Sequence, residues 1–142
     1  MKYLILILLL GASSTLVAQR HTPVIEVDSN KRGATIARPV GGTHEFNNQI
    51  AANLRYPSAA KAEGKEGAVF VQFAVKEDGS LSNVEVVPGR ERGYGMDEEA
   101  IRVVKLTKWE PAREDNKPIA SIRTAVIHFS LNNGQEAGLP QE

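Results

Sequence analysis

Between Ala68 and Val87 the chain alternates on both sides of an Asp78-Gly79 pair, and this constrains the fold more than any other feature. Val69, Val71, Phe73 and Val75 share one parity; Phe70, Gln72, Ala74 and Lys76 share the other. A period of two is the signature of a strand with one face on a core. Asp-Gly suits the tight turns that match strand twist, and Val84 and Val86 resume the alternation after it. An antiparallel hairpin is therefore predicted, with strands over Ala68–Lys76 and Leu81–Val87.

A hairpin alone is marginal in water and needs further layers. Upstream, Phe46, Ile50, Ala51 and Leu54 recur at helical spacing, predicting a first helix over Thr43–Leu54 with Thr43 as N-cap. Tyr56-Pro57 stops it, because the residue before proline leaves the helical region. A short helix over Ser58–Glu63, ended by Gly64, follows. After the glycine-rich Gly89–Gly95 loop, Asp97 is expected to cap a second main helix, about Glu98–Lys105, with Ala100, Ile101, Val103 and Val104 inward. Met96 and Ile101 have the spacing of a hydrophobic staple. Trp109 and Pro111 end this helix, and Arg113–Lys117 reads as a polar loop. The longest strand-like run is 119–131, with Ala125, Ile127, Phe129 and Leu131 alternating with Thr124, Val126, His128 and Ser130. The tail, 132–142, has no pattern and is expected to be disordered.

At the front, Lys2, the aliphatic run from Tyr3 to Leu10 and the small-residue stretch Gly11–Ala18 have the order of a secretory signal, with cleavage expected between Ala18 and Gln19. Tyr3–Ala18 is 16 residues and turns polar at Ser13, whereas a spanning helix needs roughly 20 apolar residues. The expectation is a periplasmic protein that does not span the membrane after cleavage; the alternative is an uncleaved inner-membrane anchor. Residues 19–42, with Pro23, Gly33, Pro39, Gly41 and Gly42, read as a flexible linker, although Val24, Ile25 and Val27 could form a short extended patch.

Composition removes several function classes. With 17 basic and 17 acidic residues there is no electrostatic footprint for nucleic acid. Without cysteine there is no lipid anchor on a thiol, no disulfide frame and no thiolate metal site. His21, His44 and His128 lack the converging partners that a metal needs. Asp97, Glu98 and Glu99 fit the preference of a helix N-terminus for negative charge, and Ser58, Ser80 and Ser121 have no matched base. Gly89, Gly93 and Gly95 do not close a phosphate loop. Trp109 reads as a packing residue. No enzyme, cofactor or metal site is expected.

Tyr56-Pro57 with Ala59, Gly64 and Gly67, the alternating strand and Asp78-Gly79, then Asp97-x-x-Ala100, Val103-Val104, Trp109-x-Pro111 and Ile127-x-Phe129 form an ordered series. Over about Gly41–Leu131 the chain resembles the TonB C-terminal domain family. Two positions depart from the usual pattern: Thr107 where proline often precedes the lysine and tryptophan, and Ala112 where glycine often follows the last proline. The long proline-rich spacer of an energy transducer has no counterpart, since the 24 residues Gln19–Gly42 reach at most about 85 Å.

The resemblance implies an α+β fold, a three-stranded antiparallel sheet with two main helices on one face. It also implies that the last strand lies at a sheet edge and pairs with an extended peptide, the TonB box of an outer-membrane transporter, by β-augmentation. On that basis the binding surface is expected at Arg123, Thr124, Ala125, Val126, Ile127 and His128, with Leu54, Arg55 and Tyr56 beside it. The expected partner is an outer-membrane TonB-dependent receptor or another envelope protein, and pairing with a second copy is a further expectation. The alternative is a periplasmic adaptor of the same fold that binds cell-wall or envelope components without transducing energy.

Overall fold

The computed structural model describes residues 33–131 and 136–138. The signal segment, its Ala18–Gln19 cleavage site, His21 and the Val24–Val27 patch lie outside them. In chain order the elements are β1 (Arg38–Pro39), α1 (Gly42–Asn53), α2 (Ser58–Ala62), β2 (Gly67–Val75), β3 (Leu81–Val86), α3 (Met96–Lys105), β4 (Trp109–Glu110), β5 (Ala112–Glu114), β6 (Lys117–Ile119), β7 (Ser121–Phe129) and β8 (Glu136–Gly138).

The main sheet is antiparallel with spatial order β3-β2-β7-β8. Its three long strands and two main helices are the expected α+β architecture. β2 pairs with β7 along its whole length, Gly67 opposite Phe129 through Val75 opposite Ser121. The β2–β3 hairpin carries a register shift between Gln72 and Ala74, where Asn83 takes φ 49° and supplies the extra residue of a bulge. Two small ribbons, β1–β4 and β5–β6, lie apart from this sheet.

Burial follows the parity of the strands. Val69, Val71, Phe73 and Val75 of β2 and Ala125, Ile127 and Phe129 of β7 form one cluster with Phe46 and Ile50 of α1, with Met96, Ala100, Val103 and Val104 of α3, and with Trp109. Each large apolar side chain so buried contributes about 1.5–3 kcal/mol. The even-numbered face of β2 and β7, from Ala68 to Ala74 and from Ile122 to His128, stays partly open.

Several local expectations give way. Both main helices start from left-handed glycines, Gly41 (φ 81°) and Gly95 (φ 80°), rather than from Thr43 and Asp97, and neither has a side-chain cap. Asp97 instead turns back, its carboxylate accepting from the Arg92 amide at 2.9 Å and the Gly93 amide at 2.7 Å, and clasps the loop ahead of α3. The Arg113–Lys117 loop is a hairpin turn: Asp115 (φ 49°) and Asn116 (φ 64°) take the paired positive φ that a type I′ turn requires, joining β5 to β6. The run from 119 is consequently two strands with a break at Ala120, and Leu131 is exposed rather than inward.

The linker and tail also carry structure. Arg38 and Pro39 pair with Glu110 and Trp109, Thr35 bridges Arg113, and Ala37 is fully buried. The chain from Thr35 to Val40 is thus sewn to the segment after α3 and is not a free linker. In the tail, residues 136–138 form β8 beside β7.

Candidate functional site

Trp109 anchors the end of the domain next to the hairpin tip. Its ring meets Phe46 and Phe73 edge-on at centroid distances of 5.9 and 4.9 Å. Its indole N–H donates to the Thr107 hydroxyl at 2.9 Å, and that hydroxyl donates to the Val104 carbonyl at 2.6 Å. A threonine at 107 therefore gives the buried indole an acceptor at the end of α3. Trp109 is a packing residue, as its sequence position suggests. An open groove of about 850 Å³ runs beside it, lined by the hairpin tip from Asp78 to Val84 together with Lys105, Thr107 and Lys108.

The edge of β7 is defined by main-chain direction. On β2 the carbonyl of Phe70 accepts from the Val87 amide on the β3 side, and that of Ala68 accepts from the Arg92 guanidinium. In an antiparallel pair, residues whose main-chain groups turn away from a neighbour alternate with those that bond to it. Phe70 is opposite Val126 and Ala68 opposite His128, so these pairs do not exchange hydrogen bonds across β2–β7. It follows that Ile122, Thr124, Val126 and His128 turn their N–H and C=O groups outward, away from β2, whereas Arg123, Ala125 and Ile127 spend theirs on the β2 ladder.

The nine residues expected at the surface thus divide. Thr124 and Val126 are half-buried and His128 is exposed, all with outward main chain. Ala125 and Ile127 are fully buried in the core and Leu54 nearly so; their side chains contact no ligand from where they sit. Tyr56 reaches β7, its ring edge-on to Phe129 at 5.6 Å and its hydroxyl donating to the Lys65 carbonyl at 2.5 Å. Burial, and secondarily the Glu66 charge, pushes its phenol above the ordinary value. Arg55 is tied elsewhere, its amide donating to Glu99 Oε1 of α3 at 2.7 Å. Ile122 was missed. It belongs to the outward parity and is 40% exposed, and extending the alternation one step upstream of Thr124 would have found it.

Part of this edge is occupied. β8 pairs with β7 in the register Val126–Gly138, Ile127–Ala137 and His128–Glu136. Among the described residues no strand pairs with Ile122–Ala125 on that side. Nor do three histidine, aspartate or glutamate side chains converge as a metal site among them.

The model of the Gram-negative bacterial TonB protein C-terminal family matches residues 52–131. The chain belongs to the TonB C-terminal family. The match begins in the last turn of α1 and ends just past β7, so it holds the three long strands β2, β3 and β7, with α3 and Trp109. TonB C-terminal domains are non-enzymatic modules of the periplasm that interact with other envelope proteins. No curated protein matches this chain. Among the described residues of this TonB C-terminal domain, no helix is long and apolar enough to cross a membrane.

Proposed function

We propose that this chain is a secreted periplasmic binding module of TonB-linked outer-membrane transport that receives an extended transporter segment on the β7 edge by strand pairing. The single observation that supports this reading most is the parity of β7, which turns the main-chain donors and acceptors of Ile122, Thr124, Val126 and His128 away from β2, with β8 beside only the last two among the described residues. Four residues of like parity are enough to pair with a short extended peptide, with backbone hydrogen bonds supplying affinity and alternate side chains supplying selection. Phe70 lies opposite Val126 on the open face, one strand in from that edge, with the Arg90 guanidinium 4.6 Å from its ring centroid. The experiment is co-purification of the tagged domain with a detergent-solubilised TonB-dependent transporter, matched against isolated cell-wall material. Recovery of the transporter is expected. Recovery of cell-wall material alone would assign the domain to a cell-wall adaptor instead. The secreted form is checked by intact mass in the periplasmic fraction, where a chain beginning at Gln19 is expected and a retained Met1 in the inner membrane would contradict it.

A further inference from the structure

β3 is the other outer strand of the main sheet, and among the described residues no strand pairs with its far side. The Val87 amide donates to the Phe70 carbonyl, Glu85 stands opposite Gln72 and Ser82 opposite Ala74, so Ser82, Glu85 and Val87 spend their main-chain groups on β2. Leu81, Val84 and Val86 consequently turn theirs away from β2, while their side chains pack against the core. The extra residue at Asn83 bends this edge. A bulge of that kind blunts pairing with a second rigid edge, such as that of another copy, but a pliant segment follows the bend. Along the first half of β3 runs the groove of about 850 Å³, lined by the hairpin tip and Leu81–Val84 together with Lys105, Thr107 and Lys108. Lys105 and Lys108 are exposed and form no ion pair among the described residues. The one carboxylate of the lining, Asp78, is taken up within the turn, accepting from the Ser80 amide at 2.9 Å and the Ser80 hydroxyl at 2.6 Å.

We propose that the β3 edge and this groove receive an extended acidic segment of a second envelope protein. The outward main-chain groups of Val84 and Val86 bond to the backbone of that segment. Its alternate side chains share one face, so carboxylates placed two residues apart all turn to the groove and meet Lys105 and Lys108. β3 and β7 lie on opposite sides of β2, so both edges can be filled at once and the domain then bridges two partners.

The probe is a short synthetic peptide with blocked ends that alternates glutamate and threonine, added to the full chain and followed by amide hydrogen exchange. In the free chain the Val84 and Val86 amides are expected to exchange fast and the Val87 amide slowly, since only the last is bonded to β2. Slow exchange at Val84 and Val86 before any peptide is added means that the chain itself or a second copy already covers the edge, and overturns the proposal. With the peptide bound, Val84 and Val86 should slow by roughly tenfold or more while Ile122 and Thr124 stay unchanged. Slowing at Ile122 and Thr124 alone, or nowhere, overturns the site. Titration then separates charge from strand pairing. The double variant Lys105→Gln, Lys108→Gln, which touches only exposed side chains, should bind the peptide about threefold or more weakly, and added salt should weaken the unmodified chain in the same direction. Equal affinity of the variant, or of the unmodified chain for a peptide alternating lysine and threonine, overturns the acidic preference. A glutamate peptide N-methylated on alternate amides along its pairing edge should bind roughly tenfold more weakly, and equal binding overturns strand pairing. None of these results depends on whether a transporter segment binds β7.

Discussion

Thr107 and Gly79 matter because both meet Trp109. The Thr107 hydroxyl is the acceptor of a buried indole N–H, and a buried donor left without a partner costs about 1–3 kcal/mol. Thr107→Val, which keeps the shape, should therefore lower stability by that amount in urea denaturation, and Thr107→Ser should restore most of it. At the hairpin tip Gly79 has φ 84°, and a Cβ there would lie 2.4 Å from the Trp109 carbonyl oxygen. That oxygen belongs to backbone paired with Pro39 and cannot retreat as a side-chain end would. Gly79→Ala carries the left-handed penalty of about 1–2 kcal/mol and the steric contact in addition. Its midpoint of unfolding should fall further than that of Gly64→Ala, which has the same sign of φ and open space around it.

Among elements, the join between α1 and α3 runs through Glu99. Its carboxylate accepts from the Arg55 amide at 2.7 Å and from the Arg102 guanidinium at 2.6 and 2.8 Å, and Arg102 also donates to the Asn53 carbonyl. The bond to Arg102, with the Arg55 amide as a lesser aid against partial burial, holds the Glu99 carboxyl below the ordinary carboxylate range. A carboxyl lowered on folding contributes stability above its unfolded value and loses it as pH falls through the folded one. The stability advantage over Glu99→Gln should accordingly be complete at pH 7 and shrink as pH drops below about 4.3, measured by denaturation at stepped pH. The hairpin and α3 were legible because their apolar periods match their elements without competition. The ends of elements were less so: Thr43 and Asp97 satisfy every local rule for a cap, yet left-handed Gly41 and Gly95 set where the helices begin. Asp115-Asn116 looks like any polar pair until paired strands flank it, and β1 and β8 are too short to carry a period at all. Likewise the expected binding surface was legible as a strand, with its edge position coming only from the resemblance; which of its residues turn their main-chain groups outward was not legible, because that depends on the pairing of β2 with its other neighbour.

For the whole molecule, the parity of β7 makes proline substitution a test with its own control. Val126 turns its N–H away from β2, so Val126→Pro removes a donor from the edge and leaves the β2–β7 ladder whole; Ala125 sits on that ladder, and Ala125→Pro should unfold the domain. Circular dichroism is expected to find Val126→Pro folded and Ala125→Pro not. Single alanine changes at Thr124 or His128 should weaken partner binding only modestly, because backbone bonds supply most of the grip. The decisive measurement is the affinity of folded Val126→Pro for a purified TonB-dependent outer-membrane transporter, by titration beside the unmodified chain. Loss of binding by tenfold or more is the expected result; a folded Val126→Pro that binds the transporter as well as the unmodified chain would contradict pairing on the β7 edge.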